Sequence, residues 1–400
     1  MPAMRLHDLV AGLCVAGLML PEAVAYAGIA GLAPQHAIFA GIAGCLIYPL
    51  VGRSRFAIVS ATSSSAAILA ATLAVMPLAA SERAALAAII VGMAGLLFLA
   101  AAMARLGGLT GFISRPVLRG FALGTAITII LHQLPIVTGA PVQATGTLDY
   151  ARALAGSVPH WHWPSLLTGM AALGALLALR RYPAIPGAFV VLVIGIAAAR
   201  WLDLPAQGVA AVGTVDTALA WPTLPALGWN DLSRLAQFAV PLVLILFAES
   251  WGTIRSLALR HGETIDANRE LAALGGANLV SALVQGMPVG AGFSAGSASE
   301  AAGAVSRWTS VVAASGLILM LLFAMPLVAQ LPEPVLAAVV IAALAHALDP
   351  APFLRLWRLD RDQFVAIGAA AGVLALGVLN GMLLAIGLSL AALLQRLATP

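Results

Sequence analysis

The sequence contains no lysine; its 20 cationic residues are all arginine. That excludes a Walker-type phosphate loop, a Schiff-base lysine and a lysine-tethered cofactor. Charge of either sign is scarce, at 9% of 400 residues, against roughly a quarter in soluble globular domains. With 62% hydrophobic residues and a mean hydropathy of +1.01, a soluble fold is excluded. Cysteine is nearly absent, and Cys14 and Cys45 lie in apolar runs, so neither a disulfide framework nor a metal site is expected. His160 and His162 have no third ligand nearby, which makes a metal site there weak. No Ser-His-Asp, paired-carboxylate or Cys-His spacing suggests catalysis. The sequence argues for no enzyme and no cofactor. The net charge of +4 is spread over short loops without a basic run, which argues against nucleic acid and leaves the arginines to orient the chain in a lipid bilayer.

What is present is apolar length. A helix needs about 20 apolar residues to cross the hydrocarbon core, and fourteen such segments are read between about Asp8 and Leu397. The opening apolar run continues through Pro21-Glu22 without a clear cleavage site, so it reads as a first span rather than a signal peptide. A polar stretch, Pro135 to Pro164, suits an external loop with aromatic interface anchors. A Pro/Gly/Trp-rich segment, Asp203 to Asn230, separates two sets of seven spans. With a cytoplasmic amino terminus, only Arg83, Arg152, Arg200 and Arg234 of the 20 arginines fall outside, as the positive-inside rule requires. Both termini are then expected in the cytoplasm.

An odd number of spans per set inverts the second relative to the first. The fold class expected is an all-α polytopic membrane protein with a 7+7 inverted repeat, residues 8–201 and 231–397. Spans three and ten read RFAIVSATSSSAAILA and GMPVGAGFSAGSASEAAGA. Each opens with extended-type residues and passes through Ser, Thr and Gly before any strong helix former. That suits short extended segments followed by half-helices that begin near the bilayer centre, with unpaired N–H groups facing inward. Two such helix starts meeting at a midplane make an anion site. The alternative is that the small-residue runs serve close helix packing.

Two carboxylates fall mid-membrane in otherwise apolar helices, Glu22 in LMLPEAVAYAG and Glu249 in LILFAESWGTI. Such a group is costly in hydrocarbon unless it takes up a proton or finds a partner, so both are candidate proton carriers. Glu22 has a structural alternative, a carboxyl held by backbone donors at a break after Pro21. Thr253 lies one turn beyond Glu249, so their oxygens share a helix face and could hold Na⁺. The alternatives there are a hydrogen bond between the two, or pairing of Glu249 with Arg255. Glu300 is expected near Arg307 in a solvated or ion-paired role.

At LPEAVAYAGIAGLAPQHAIFAGIAGCLIYPLVGRSRFAIVSATSSSA the sequence resembles the sulfate permease family, bacterial relatives of the solute carrier 26 anion exchangers. The residues that carry this are Pro21, Ala25-Tyr26-Ala27, Ala30-Gly31-Leu32, Pro34 and Gly52-Arg53-Ser54-Arg55. A second match holds Glu249-Ser250, Arg260-His261-Gly262, Asp266 to Leu271, Gly275, Ala277-Asn278, Gly286, Pro288 and Phe293-Ser294. The resemblance covers essentially the whole chain. It implies a uracil-permease-like transporter whose core domain (8–104 and 232–330) carries the anion against a gate domain (114–201 and 334–397) in an elevator-like cycle, as a homodimer. The anion site it implies comprises Ala61, Thr62, Ser63 and Ser64 at one half-helix start and Gly292, Phe293, Ser294, Ala295 and Gly296 at the other, with Tyr26 alongside. Glu22 stands where many members have Gln and where some proton-coupled bacterial members have Glu. Ala295 stands where span ten usually carries an Arg, which leaves helix dipoles and hydroxyls to hold the anion. The sequence stops at Pro400 without the carboxy-terminal regulatory domain common in the family, which implies that the domain is absent or a separate polypeptide. The expected activity is proton-coupled symport of sulfate, bicarbonate or a dicarboxylate across a bacterial inner membrane. Sodium-coupled bicarbonate transport through Glu249 and Thr253 is the alternative. An anion channel or a non-transporting scaffold is the alternative of another class.

Overall fold

The computed structural model describes residues 6–74, 80–111, 115–140, 142, 147–182, 187–213, 228–323, 325–351 and 363–398. Arg5, Val75, Arg355, Arg358, Arg361 and residues 214–227 of the segment between the two halves lie outside the described residues. In chain order the elements are α1 (Leu6–Ala30), α2 (Pro34–Val51), β1 (Val59–Ala61), α3 (Ser63–Ala74), α4 (Ala80–Met103), α5 (Arg115–Thr138), α6 (Thr147–Gly156), α7 (Trp163–Leu179) and α8 (Gly187–Trp201). The second half continues with α9 (Trp229–Arg260), α10 (Ala267–Leu283), β2 (Val289–Ala291), α11 (Phe293–Ala301), α12 (Trp308–Phe323), α13 (Met325–Val328), α14 (Glu333–Leu344) and α15 (Gln363–Ala398). Among the described residues, five helices are long and apolar enough to cross a membrane by length and composition: α1, α2, α4, α5 and α9. Shorter apolar helices make up most of the rest.

The chain folds into two compact units, each assembled from separated stretches: Met1–Thr110 with Val215–Met325, and Gly111–Thr214 with Pro326–Pro400. In the first unit α10 packs on α4 and α2, α12 on α1 and α2, and α9 on α4. Its centre is a two-stranded antiparallel ribbon that pairs Val59 with Ala291, Ser60 with Gly290 and Ala61 with Val289. Each strand is buried along its whole length and leads within two residues into a short helix, β1 into α3 and β2 into α11. The extended segments expected in spans three and ten are these strands. The ribbon passes close to α9: a Cβ at position 290 would lie 2.8 Å from Ser250 Oγ and from Leu246 Cδ1, so glycine there permits the approach.

Several local differences from the sequence reading have simple causes. α1 runs unbroken through Pro21, because neighbouring helices tolerate the one backbone bond that proline removes. α5 continues through Pro135 to Thr138, and the polar stretch after it contains the amphipathic helix α6. Tyr150 of α6 stacks on His132 of α5 with ring centroids 4.2 Å apart.

In the second unit α15 packs on α5, and α14 packs on α7 and α5. The Arg180 guanidinium at the end of α7 donates to the carbonyl of Ala342 near the end of α14, a cation on a helix carboxy terminus. Residues 210–213 pair with the approach to α14 through Val212 N–H to Leu331 O and Glu333 N–H to Ala210 O. α15 is two arms joined at Gly377, whose φ of 81° and ψ of 170° lie in a region only glycine adopts readily. The arms fold back on each other, with Gly372 facing Leu384 and Gly368 facing Leu388. Replacing Gly377 by Ala forces a side chain into that region, at a cost of about 1–3 kcal/mol. Thermal melts of the purified protein should show a lower midpoint for Gly377→Ala, while Gly387→Ala, in open space on the same helix, should leave the midpoint unchanged or higher.

Candidate functional site

The half-helices begin beside the ribbon, and their first turns differ. At α3, Thr62 and Ser65 cap each other: Thr62 N–H donates to Ser65 Oγ (2.9 Å) and Ser65 N–H to Thr62 Oγ1 (3.2 Å). Ser65 Oγ also lies 3.1 Å from the carbonyl of Pro288, which ties the start of α3 to the residue before β2. At α11 the cap position is Gly292, in extended geometry and with no side-chain cap. Its first-turn N–H groups therefore lack the hydroxyl acceptor that Thr62 supplies in α3.

Onto these two starts the long helices bring the two mid-membrane carboxylates, crosswise. Glu22, on α1 of the first half, accepts a hydrogen bond from Ser294 Oγ, the second residue of α11, at 3.0 Å. Glu249, on α9 of the second half, accepts one from Ser64 Oγ, the second residue of α3, at 2.6 Å. Glu22 and Ser64 are buried. Tyr26, one turn beyond Glu22, is also buried. Thr253, one turn beyond Glu249, sets its methyl against α11 at Gly296. Glu249 thus bonds Ser64 rather than Thr253 or Arg255, and Glu22 bonds a hydroxyl rather than backbone donors at a helix break.

Ala61, Thr62, Ser63 and Ser64 therefore sit at one half-helix start, and Gly292 to Gly296 at the other. Each start is bonded to a carboxylate on a long helix of the opposite half. Ala295 is buried and brings a methyl group with no charge. Phe293 is half-exposed at the head of α11. Such an arrangement offers hydroxyls, uncapped N–H groups and two proton-accepting groups within one unit.

Ala11, Phe56, Leu257 and Ala304 form a buried apolar cluster. Beyond it Arg55 pairs with Glu263 (2.6 Å), and Glu300 pairs with Arg260 (2.7 Å) and His261 (2.8 Å). Glu300 is therefore ion-paired, but not with Arg307. Arg307 instead donates to the carbonyls of Pro49 (3.0 Å) and Gly52 (2.9 Å) at the end of α2. Arg269 Nε donates to the Val51 carbonyl beside them.

Sequence reasoning missed the buried polar groups that fix this frame. Glu270 accepts from Tyr48 Oη (2.6 Å) and Arg53 N–H (2.9 Å), so motif residues from the two halves grip each other. Asp8 accepts from the N–H groups of Val305 and Ser306 and from the hydroxyls of Ser306 and Thr309, holding the turn that leads into α12. A lone acid near the start of an apolar run, as at Asp8, is the signal that was available. Tyr48→Phe removes a bond to a buried carboxylate, worth about 1.5–3 kcal/mol. Its melting midpoint should fall clearly below wild type, and an unchanged midpoint would show that the Tyr48–Glu270 bond does not hold the two halves.

The Sulfate permease family matches residues 6–370 of the chain. A Mycobacterium tuberculosis protein named "Probable sulfate transporter" is 35% identical over 396 residues, covering 98% of this chain and 71% of that protein. The structure of the murine solute carrier 26 family member A9 anion transporter in its inward-facing state superposes with a TM-score of 0.90 at 20% identity, over 99% of this chain and 69% of that one. The transmembrane domain of a cyanobacterium bicarbonate transporter, BicA, superposes with a TM-score of 0.79 at 21% identity, over 96% of each chain. The fold is thus the helical, polytopic membrane fold of these proteins.

Proposed function

The chain belongs to the sulfate permease family, a family of membrane transporters rather than enzymes, and on that premise we propose that it is a secondary active transporter coupling uptake of a small anion to protons. The observation that carries this reading is the crosswise pairing of Glu22 with Ser294 and of Glu249 with Ser64. Sulfate is the substrate favoured by the mycobacterial relative's name, and bicarbonate or a dicarboxylate stands next. The membrane is the bacterial inner membrane, with both termini cytoplasmic, and the assembly is a homodimer.

Coupling follows from like charge. An anion between the half-helix starts shares its site with two carboxyl groups. Two like unit charges about 4 Å apart, at an effective dielectric near 20, repel by about 4 kcal/mol, or roughly three orders of magnitude in affinity. A proton on Glu22 removes that carboxyl's share of the repulsion, and by linkage the bound anion favours the proton. Anion affinity therefore rises as the pH falls and is lost as the carboxyl ionises. With Ala295 in place of a guanidinium, no fixed positive side chain there offsets the anion, so the proton carries more of the compensation. The first unit serves as the core that carries anion and proton, and the second as the gate, in an elevator-like cycle.

A second reading rests on α9. Glu249 and Thr253 lie one turn apart against the starts of α3 and α11, where a Na⁺ ion between them would replace the proton as coupling ion.

Proteoliposome uptake of labelled sulfate, bicarbonate and fumarate separates these readings. An inward proton gradient should drive one anion to accumulate in wild type. Glu22→Gln, a mimic of the protonated carboxyl, should abolish proton-driven accumulation while keeping anion exchange at low pH. Unchanged pH dependence in Glu22→Gln would sink the proton role, and accumulation driven by a sodium gradient alone would move coupling to Glu249 and Thr253. Ser64→Leu should abolish anion binding, whereas normal affinity in that variant would place the site elsewhere.

A further inference from the structure

The ribbon beside the site has an open edge on each strand, and the two edges are closed very differently. On β2, the outward N–H of Val289 donates to Asn278 Oδ1 at 3.0 Å, and the outward carbonyl of Val289 accepts from Asn278 Nδ2 at 2.9 Å. One carboxamide thus makes both bonds that a third strand would make. Its remaining amide proton goes to the carbonyl of Leu274 at 2.9 Å, so both donors and one acceptor position of a wholly buried Asn are used. The orientation is forced, because a flipped amide would set NH₂ against the Val289 N–H. Two residues on, Ala291 N–H donates to Ser250 Oγ at 2.9 Å, and Ser250 donates to the carbonyl of Leu246. On β1, by contrast, the outward carbonyl of Val59 meets the Cys45 thiol at 3.5 Å, a weak donor.

We infer that Asn278 is a positioning residue for anion binding, holding β2 in place from α10 and so fixing where α11 begins at Gly292 to Ser294. It acts through β2 and does not reach the anion. The inference rests on the reading of that helix start as part of the anion site. No other side chain fills the role: Ala leaves both Val289 groups unpaired in a dry interior, Ser cannot serve both at once, Gln is a methylene too long, and ionised Asp loses the donor. Protonated Asp is the exception, because its hydroxyl restores the bond to the Val289 carbonyl.

The test uses the full-length protein in lipid nanodiscs with two readouts, amide hydrogen exchange over residues 288–296 and equilibrium binding of labelled sulfate. Ser281→Ala is the control, since Ser281 is a buried α10 residue that bonds Met287, before the strand. Asn278→Ala should speed exchange in that segment at least tenfold and weaken sulfate binding at least tenfold. Ser281→Ala should leave exchange within twofold and affinity within threefold. Asn278→Asp, which keeps the shape should the Ala variant not fold, should match wild-type affinity at pH 5 and fall at least tenfold below it at pH 8. Wild-type exchange in Asn278→Ala overturns the inference, as does faster exchange with unchanged sulfate affinity in either Asn278→Ala or Asn278→Asp. Should wild type itself bind no sulfate, the sulfate reading falls, and the exchange data alone still decide whether Asn278 sets the strand.

Discussion

A strand in the interior of a membrane protein leaves backbone N–H and C=O groups that no water can satisfy, and this constraint organises the first unit. Two short helices, α3 and α11, start inside this unit, and each follows a buried strand that must be paired. The strands pair with each other, one from each half, which obliges the halves to fold together. The edges left over are met by side chains: Asn278 and Ser250 on β2, Cys45 on β1, and Ser65 at the join between α3 and Pro288. The same need for partners explains why Glu22 and Glu249 each find a serine on the half-helix of the opposite half. The two carboxylates are thus bonded across the two halves, while the strand edges are closed by side chains of their own half.

This complementarity bears on function. A broken span creates uncapped N–H groups that suit an anion, and the carboxyl groups that brace the breaks are also the groups an anion would repel. In the proposed function, binding site and proton site are one object, joined by the Ser294–Glu22 and Ser64–Glu249 hydrogen bonds. The asymmetry between the starts matters too. Thr62 and Ser65 cap each other at α3, whereas Gly292 leaves α11 uncapped, so the proposed site is richer in unused donors on the α11 side.

Composition and periodicity made the membrane class legible, and the small-residue runs located both breaks closely. The extended residues before each run are the strands, and the half-helices start at Ser63 and Phe293. Glu22 and Glu249 stood out because a carboxylate in an apolar span is costly. Their partners did not, since Ser294 is 272 residues from Glu22 and Ser64 is 185 from Glu249, and pairing at that range belongs to tertiary structure. The first span reads as continuous through Pro21, and packing carries α1 through it, so the alternative of a break there is not realised. Near the end of the chain the backbone reverses at Gly377, where the positive φ is needed. Asn278 was visible within a motif, and its role was not, because a single buried amide can equally be a core contact.

The central proposal is that anion and proton cross together. Simultaneous recording of labelled sulfate uptake and of proton movement in proteoliposomes, with the membrane potential clamped, tests it. Protons should enter in fixed proportion to sulfate, and both fluxes should scale with the amount of protein. Sulfate uptake with no accompanying proton flux would contradict the account.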